Sequence, residues 1–265
     1  MDTHTTPRPD GYWLGDGPDE VEHLLAQAEV YALEADELLD RVGLRPGASA
    51  IDLGCGVLGI LPALRERVGA GGRVVGLDLE PRLLARAARP ELAVETVVAD
   101  AARTGLPAEA FDLVHERTLL LNLTDPAAAV AEMARIARPG GIVALQDPDA
   151  TGWVCDPPHP PFERLRTELM AIFTRTGKDF TIGRRAARLL RDAGLEDVET
   201  RATARVTRPG DHYHTFILTL CRLLGAHAAD PERLAADAAA VREHLSRPST
   251  ITCQPLLWQA WGVRP

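Results

Sequence analysis

The feature of this sequence that most constrains the fold is a short apolar segment that leads directly into a glycine-rich turn. Residues 50–53 (AIDL) have the length and composition of a buried strand, and Gly54, Gly56 and Gly59 follow before a helical pattern begins. Glycine allows unusual backbone angles and a close approach of a ligand to the main chain. We therefore predict a strand–turn–helix unit at the start of an α/β domain.

Strands and helices alternate along the chain after this turn. The hydrophobic patterns predict strands at 73–77, 94–98, 111–114 and 142–146, with helices at 58–68, 81–88 and 127–137. The strands are apolar on both faces, which is typical of a parallel sheet covered by helices on each side. Two further strands are predicted at 198–206 and 256–263.

The predicted elements divide the chain into three parts. Residues 1–42 form an N-terminal arm and a cap helix, which runs from residue 18 to residue 42. The α/β core comprises residues 43–208 and 248–265. Residues 209–247 are mostly helical and are not needed by the sheet, so we expect an insertion that contributes to a cap over the substrate.

Charge and cysteine content narrow the classes of partner. The 265 residues have a formal net charge of -9. A nucleic-acid binder needs a positive surface, so this charge disfavours binding to nucleic acid. It also disfavours adsorption to an anionic membrane. The 4 cysteines form no CxxC pair and no cluster with zinc spacing, so no metal site is expected. Neither a signal-peptide pattern nor an apolar run of ~20 residues is present. We expect a cytoplasmic protein with reduced thiols.

Asp52 distinguishes between two classes of cofactor. Gly54, Gly56 and Gly59 also satisfy the dinucleotide fingerprint, in which a pyrophosphate lies against the turn. A carboxylate two residues before the first glycine would repel that phosphate. The same carboxylate suits S-adenosylmethionine, which has a sulfonium and an ammonium group and no phosphate. An NAD-dependent oxidoreductase is therefore disfavoured.

Several motifs resemble those of one family. Residues 51–56 (IDLGCG) resemble the first motif of the class I S-adenosylmethionine-dependent methyltransferases, of the broad small-molecule (UbiE-like) group. The resemblance extends over residues 43–149 and includes 111–117 (FDLVHER) and 135–141 (RIARPGG). It implies a doubly wound, Rossmann-like α/β fold: a seven-stranded, mainly parallel sheet with an antiparallel last strand and a helical cap. The family usually has its third glycine at the position of Leu58, one residue before Gly59.

The resemblance and the spacing together indicate which residues bind the cofactor. Asp78 ends the second strand about 20 residues after the glycine loop, where a ribose-binding carboxylate is expected. In the family the position of Leu79 packs against adenine, and the positions of Asp100 and Ala101 bond its polar edge. The expected cofactor-binding residues are Gln27, Asp52, Gly54, Cys55, Gly56, Asp78, Leu79, Asp100, Ala101 and Glu116.

Acceptor-binding and catalytic residues are expected beyond the carboxyl ends of the strands and in the cap. His115 and His159 are candidate general bases, because histidine is the natural base at neutral pH. The alternative for each is a structural or surface role, and a mechanism that relies on proximity needs no base. The expected substrate-contacting residues are Tyr12, Trp13, Asp147, Trp153, His212 and His214, of which the two histidines are reserve bases.

The sequence thus predicts methyl transfer from S-adenosylmethionine to a small-molecule acceptor. O-methylation is favoured, N- and C-methylation stay open, and the resemblance suggests bacterial natural-product biosynthesis. The alternative is a protein that keeps the cofactor but acts as a non-methylating cyclase or a ligand-binding module, since function depends on the site rather than on the fold. A homodimer is also open.

Overall fold

The computed structural model describes residues 18–87, 90–211 and 213–265; the expected substrate residues Tyr12, Trp13 and His212 lie outside these ranges. The helices are α1 (Pro18–Val30), α2 (Ala32–Val42), α3 (Leu61–Val68), α4 (Pro81–Ala87), α5 (Pro126–Ile136), α6 (Pro160–Arg175), α7 (Ala186–Asp192), α8 (Phe216–Leu224) and α9 (Pro231–Leu245). The strands are β1 (Ser49–Leu53), β2 (Arg73–Asp78), β3 (Glu95–Val98), β4 (Phe111–Arg117), β5 (Ala137–Asp149), β6 (Val154–Asp156), β7 (Glu196–Thr203), β8 (Val206–Thr207), β9 (Ile251–Cys253) and β10 (Leu256–Val263).

A seven-stranded sheet forms the centre of the molecule. Its order is β3-β2-β1-β4-β5-β10-β7, and β1 to β5 pair in parallel. Strand β10 lies antiparallel to both β5 and β7. The chain crosses over after β3 and continues on the other side of β1, so β1 and β4 are neighbours at the switch point where open α/β sheets bind ligands. The predicted fold class is confirmed.

Alternate side chains of β1 fill the two layers on either side of the sheet. Ile51 and Leu53 are fully buried in the cluster that includes α5 and α6. Ala50 belongs to the cluster on the opposite face, with Leu38 and Leu39 of α2. Burial on both faces explains why the strands are apolar throughout rather than alternating.

Cap elements lie against one end of the core. Helix α6 packs against α8 and α9, and a small second sheet with the order β6-β9-β8 lies beside them. Asp230 caps the N-terminus of α9 by accepting a hydrogen bond from the amide of Arg233 at 2.9 Å. This second sheet was not predicted, because each of its strands has only two or three residues.

No helix of the described residues has the length and apolarity that crossing a bilayer would require.

Several predicted elements have different ends in the structure. Strand β4 extends three residues beyond its predicted end at 114, because it pairs with β5 up to Arg117. Strand β5 extends three residues beyond its predicted end at 146, because it pairs with β10 up to Asp149. The predicted helix 18–42 is interrupted at Tyr31. The predicted helix 58–68 begins only at Leu61, because Gly59 has a left-handed φ of 51°.

Candidate active site

A deep pocket of about 1350 Å³, its open mouth included, lies at the carboxyl ends of β1, β2 and β4. The glycine loop, the ends of β2 and β3, the segment after β4, and helices α1 and α8 form its walls. Nine of the ten expected cofactor-binding residues line it, namely Gln27, Asp52, Gly54, Cys55, Gly56, Asp78, Leu79, Asp100 and Ala101. Glu116 does not reach it.

The glycine loop turns tightly over the end of β1. Gly54, Gly56 and Gly59 all have positive φ, at 69°, 55° and 51°. The Gly54 amide donates to the Leu77 carbonyl at 2.7 Å, which holds the loop against β2. A Cβ atom on Gly59 would collide with Oδ2 of Asp52. Gly59, the third glycine, therefore makes room for the Asp52 carboxylate. Leu58 does not have this role.

Asp78 joins the glycine loop to the end of β2. Its Oδ2 accepts a hydrogen bond from the Gly56 amide at 2.9 Å, and its Oδ1 accepts one from the Glu80 amide at 2.9 Å. Burial raises the pKa of this carboxyl, and the backbone donors act in the opposite direction. A carboxylate has about four acceptor positions, so Asp78 retains capacity for two hydroxyl donors from the pocket.

The neighbouring wall suits a flat heterocycle. Leu79 is 46% exposed although it is apolar, because its side chain faces the pocket. Asp100 Oδ1 accepts a hydrogen bond from the Ala102 amide at 2.8 Å, and Ala99 and Ala101 lie beside it on the wall. The apolar side chain of Leu79 can pack against the ring of a base. The carboxylate of Asp100, at the adjacent strand end, can accept a hydrogen bond from the amino group of that base.

His115 is a buried group within the sheet and does not have the geometry of a general base. It is fully buried, does not line the pocket, and its Nδ1 donates to Asp52 Oδ1 at 2.7 Å. Its Nε2 is 2.9 Å from the side-chain oxygen of Gln146. Both ring nitrogens are therefore engaged within the core. The prediction failed because His115 lies within β4 rather than beyond it.

Glu116 and Asp147 form a buried pair of carboxyl groups beneath the pocket. Both are fully buried, and a hydrogen bond joins them. Glu116 Oε2 accepts from the Leu119 amide at 3.1 Å, and Asp147 Oδ1 accepts from the Leu121 amide at 3.2 Å. Burial raises the pKa of both groups, and the charge of Asp147 adds to the rise at Glu116. The pair positions the wall segment rather than contacting a ligand.

The remaining predicted residues of the described chain lie behind the pocket wall or away from it. The His159 ring stacks on His244 with centroids 4.2 Å apart, on the side of α6 and α9. His214 Nε2 donates to the Leu245 carbonyl at 3.0 Å and so fastens the segment before α8 to the end of α9. Trp153 is buried and stacks on Phe216, a wall residue, with centroids 5.4 Å apart. None of the three lines the pocket.

Several wall residues were not among the expected site residues, and His23 and Arg117 are two of the polar ones. His23 of α1 lines the pocket, and its ring stacks on that of Phe216 with centroids 5.4 Å apart. Burial, aided by Arg222, lowers the pKa of His23 to about 4. Arg117, the last residue of β4, is 7% exposed and also lines the pocket. The following Thr118 has a φ of 56°, a costly value for a β-branched residue.

Five aromatic side chains form another part of the pocket wall. Tyr213 stacks on Phe216 with centroids 4.2 Å apart, and Phe173 stacks on Phe180 at 4.6 Å. Tyr31 meets Tyr213 edge to face at 6.1 Å. We call these five residues the aromatic lobe. They come from segments far apart in the chain, so no local sequence pattern could have brought them together.

Comparisons with known proteins agree with this geometry. Residues 51–145 match the family model described as a methyltransferase domain. The Nocamycin O-methyltransferase of Saccharothrix syringae is 39% identical over 125 residues, which are 45% of each chain. The trans-aconitate 2-methyltransferase of Methylobacterium radiotolerans is 35% identical over 188 residues, or 68% of this chain and 66% of the relative. The chain spans about half the length of the curated relatives that it matches first.

Solved structures show the same fold at low sequence identity. Phosphoethanolamine N-methyltransferase 2 of Haemonchus contortus has a TM-score of 0.56 at 15% identity, covering 92% of this chain and 57% of its own. The [4+2]-cyclase SpnF has a TM-score of 0.54 at 19% identity, covering 96% and 87%. These structures establish the architecture and leave the reaction to be argued from the pocket.

Proposed function

Because residues 51–145 form a methyltransferase domain of the class I S-adenosylmethionine-dependent family, we propose that this chain binds S-adenosylmethionine and transfers its methyl group to a small-molecule acceptor. The observation that supports this most directly is the wall around Asp78. A carboxylate with free acceptor positions, an exposed Leu79 and the Asp100 carboxylate follow one another at the ends of β2 and β3. In this order they match the ribose hydroxyls, the adenine ring and the adenine amino group of the cofactor.

The charge of the pocket supports a phosphate-free nucleoside. Asp52, Asp78 and Asp100 all line it, and Arg117 is the cationic wall residue among those described. Three carboxylates attract a sulfonium and an ammonium group and repel a diphosphate. The carboxylate of Asp52 is held in place by His115, so its position at the glycine loop is fixed. A dinucleotide would meet this acidic wall with its most negative group.

When bound, S-adenosylmethionine supplies an activated methyl group for in-line displacement. The chain's own residues then have to align the acceptor and exclude water. We propose that the aromatic lobe does both, because its five rings form an apolar part of the pocket wall. Apolar walls with few polar groups fit a small organic acceptor.

We propose that the methylated atom is an oxygen, as in the reaction named for the nocamycin relative. His23 is the histidine that lines the described part of the pocket, and a pKa of about 4 makes it a weak base. An acceptor oxygen that is already ionised needs no base. We further propose a role in bacterial natural-product biosynthesis, with residues 209–247 acting as part of the acceptor cap. A homodimer and a cytoplasmic location complete the proposal.

A non-methylating cyclase is the alternative, and the fold shared with a [4+2]-cyclase is the observation that favours it. One experiment separates the two functions. The chain is incubated with S-adenosylmethionine and candidate acceptors, trans-aconitate included, and S-adenosylhomocysteine is measured by mass spectrometry. Acceptor-dependent release supports methyl transfer. Tight cofactor binding with no release across a broad acceptor panel would favour the alternative.

The matched control for this experiment is a pair of variants. Asp78→Asn removes the negative charge at the ribose position, and we expect it to lower S-adenosylhomocysteine affinity. Glu66→Gln changes an exposed carboxylate on α3 that is remote from the pocket, and we expect it to behave as the wild type. Equal affinity of the two variants would contradict the proposed ribose position.

A further inference from the structure

Arg117 is a buried cation with few partners of its own. It is 7% exposed and lines the pocket. In the described chain its guanidinium makes one hydrogen bond, from Nη1 to the Tyr31 carbonyl, and that bond is long at 3.5 Å. The guanidinium carbon also lies 5.7 Å from the centroid of the Tyr31 ring. A guanidinium has five N–H donors, so most of them are directed at the pocket or unused.

The nearest carboxylates are committed to other groups. Asp52 accepts from His115 at 2.7 Å, and Glu34 is paired with Arg205. Neither forms an ion pair with Arg117, although both lie close enough to act on it electrostatically. Arg184, in contrast, is held by two hydrogen bonds to the buried carboxylate of Asp149. Among the described residues, no carboxylate accepts a hydrogen bond from Arg117.

A buried charge without a partner is costly, and it is retained where it has a ligand to bind. The planar donor edge of a guanidinium matches a carboxylate in two parallel hydrogen bonds. Burial lowers the pKa of Arg117, but a guanidinium stays protonated at neutral pH. The ligand that satisfies this group is therefore an anion that fits into a narrow, otherwise acidic and aromatic pocket.

We infer that Arg117 binds a carboxylate group inside this pocket. Two sources of that carboxylate lie within the proposed function, on which this inference rests: the amino-acid part of the cofactor and the acceptor itself. Both sources are within reach of the same wall, because Arg117 lines one pocket together with Gly54 and Asp52 of the cofactor-binding residues and with Tyr31 and Tyr213 of the aromatic lobe.

The first arm of the test compares two nucleosides by isothermal titration calorimetry. S-adenosylhomocysteine has the amino-acid carboxylate, and 5′-methylthioadenosine lacks the whole amino-acid part. If Arg117 binds the cofactor carboxylate, Arg117→Gln weakens S-adenosylhomocysteine binding roughly 10- to 100-fold and leaves 5′-methylthioadenosine within about twofold. Arg117→Lys keeps the charge and retains part of the affinity. Arg45→Gln, at an exposed arginine in the turn after α2, is the matched control.

The second arm tests the acceptor side on protein saturated with S-adenosylhomocysteine. Benzoate and benzamide have the same ring and nearly the same shape, but only benzoate is charged. If Arg117 binds an acceptor carboxylate, the wild type binds benzoate at least roughly tenfold more tightly than benzamide, and Arg117→Gln abolishes that preference. The wild-type comparison needs no variant, so it stands even if Arg117→Gln fails to fold.

Two results would overturn the inference. One is an Arg117→Gln variant that binds all four probes as the wild type does. The other is equal weakening of S-adenosylhomocysteine and 5′-methylthioadenosine with no benzoate preference, which would make Arg117 a structural residue. If 5′-methylthioadenosine fails to bind the wild type, the proposed function is wrong. The benzoate arm, repeated without S-adenosylhomocysteine, then still decides whether Arg117 binds a carboxylate.

Discussion

The paired carboxyl groups of Glu116 and Asp147 make the stability of this protein depend on pH, and Asp147→Asn isolates that dependence. In the folded chain both groups are fully buried, and burial raises the pKa of each, for Asp147 to about 7. Asp147 Oδ2 accepts no hydrogen bond from the described residues. A hydrogen bond between the carboxyl groups of Asp147 and Glu116 requires that one of the two carries a proton.

The direction in which pH changes the free energy of unfolding follows from the pH at which the folded and the unfolded state release their protons. Unfolded carboxyls have a pKa of ~4. In the folded chain the pKa of Asp147 is raised to about 7, and the pKa of Glu116 is raised as well. The stabilising contribution is therefore complete below the unfolded pKa and is lost as the pH rises through the folded pKa. In that interval each proton that only the folded state holds lowers the free energy of unfolding by about 1.4 kcal/mol per pH unit.

Asp147→Asn preserves the local bonds while it removes one titrating group. The remaining side-chain oxygen accepts from the Leu121 amide as Oδ1 does now, and the new amide donates to an ionised Glu116. We expect the slope of unfolding free energy against pH to fall by about one proton, which amounts to roughly 2–3 kcal/mol between pH 5 and pH 7. Urea denaturation at pH 5, 6 and 7 measures it, with Glu66→Gln as the control. Parallel slopes in all three proteins would refute the shared proton.

Three further predictions concern the pocket wall. Asp78→Ala should weaken S-adenosylhomocysteine binding by roughly 1.5–3 kcal/mol in calorimetry, the value of hydrogen bonds to a charged group, and unchanged affinity would contradict the ribose position. Gly59→Ala should lower the free energy of unfolding by about 1–3 kcal/mol, because its Cβ meets Asp52 at positive φ; a stable variant in urea would remove that reason. His23→Phe should change the rate of methyl transfer less than about tenfold, since a general base contributes ~10²–10⁴-fold and a larger loss would identify His23 as that base.

The sequence predicted the cofactor side of the pocket because its residues are tied to strand ends. Gly54, Asp78 and Asp100 each follow a strand whose apolar pattern is clear, and parallel strands bring their carboxyl ends to one edge of the sheet. Nearly all of the cofactor-binding residues of this wall could therefore be named from the sequence. Glu116 was the exception, since its alternation along β4 turns the side chain away from the pocket.

The acceptor side could not be predicted in the same way. Strand ends carry an uncertainty of a few residues, and an error of three residues at β4 was enough to place His115 in a loop rather than in the sheet. The aromatic lobe combines Phe173 of α6 and Phe216 of α8 with Tyr31, Phe180 and Tyr213 from the connecting segments, so it depends on tertiary packing. Arg117 offered a local signal, because a charged residue at the end of an apolar strand is a candidate for a site at that edge of the sheet, as His115 and Glu116 also were.

The central claim is that the pocket at the end of β1 and β2 binds a phosphate-free nucleoside. A crystal structure of the chain grown with S-adenosylhomocysteine, with an NADH soak in parallel, tests it most directly. We expect the ribose hydroxyls on the Asp78 carboxylate and the adenine against Leu79, with NADH absent from the pocket. Adenosine density elsewhere in the molecule, or NADH with its diphosphate at the Gly54–Gly56 turn, would contradict the account.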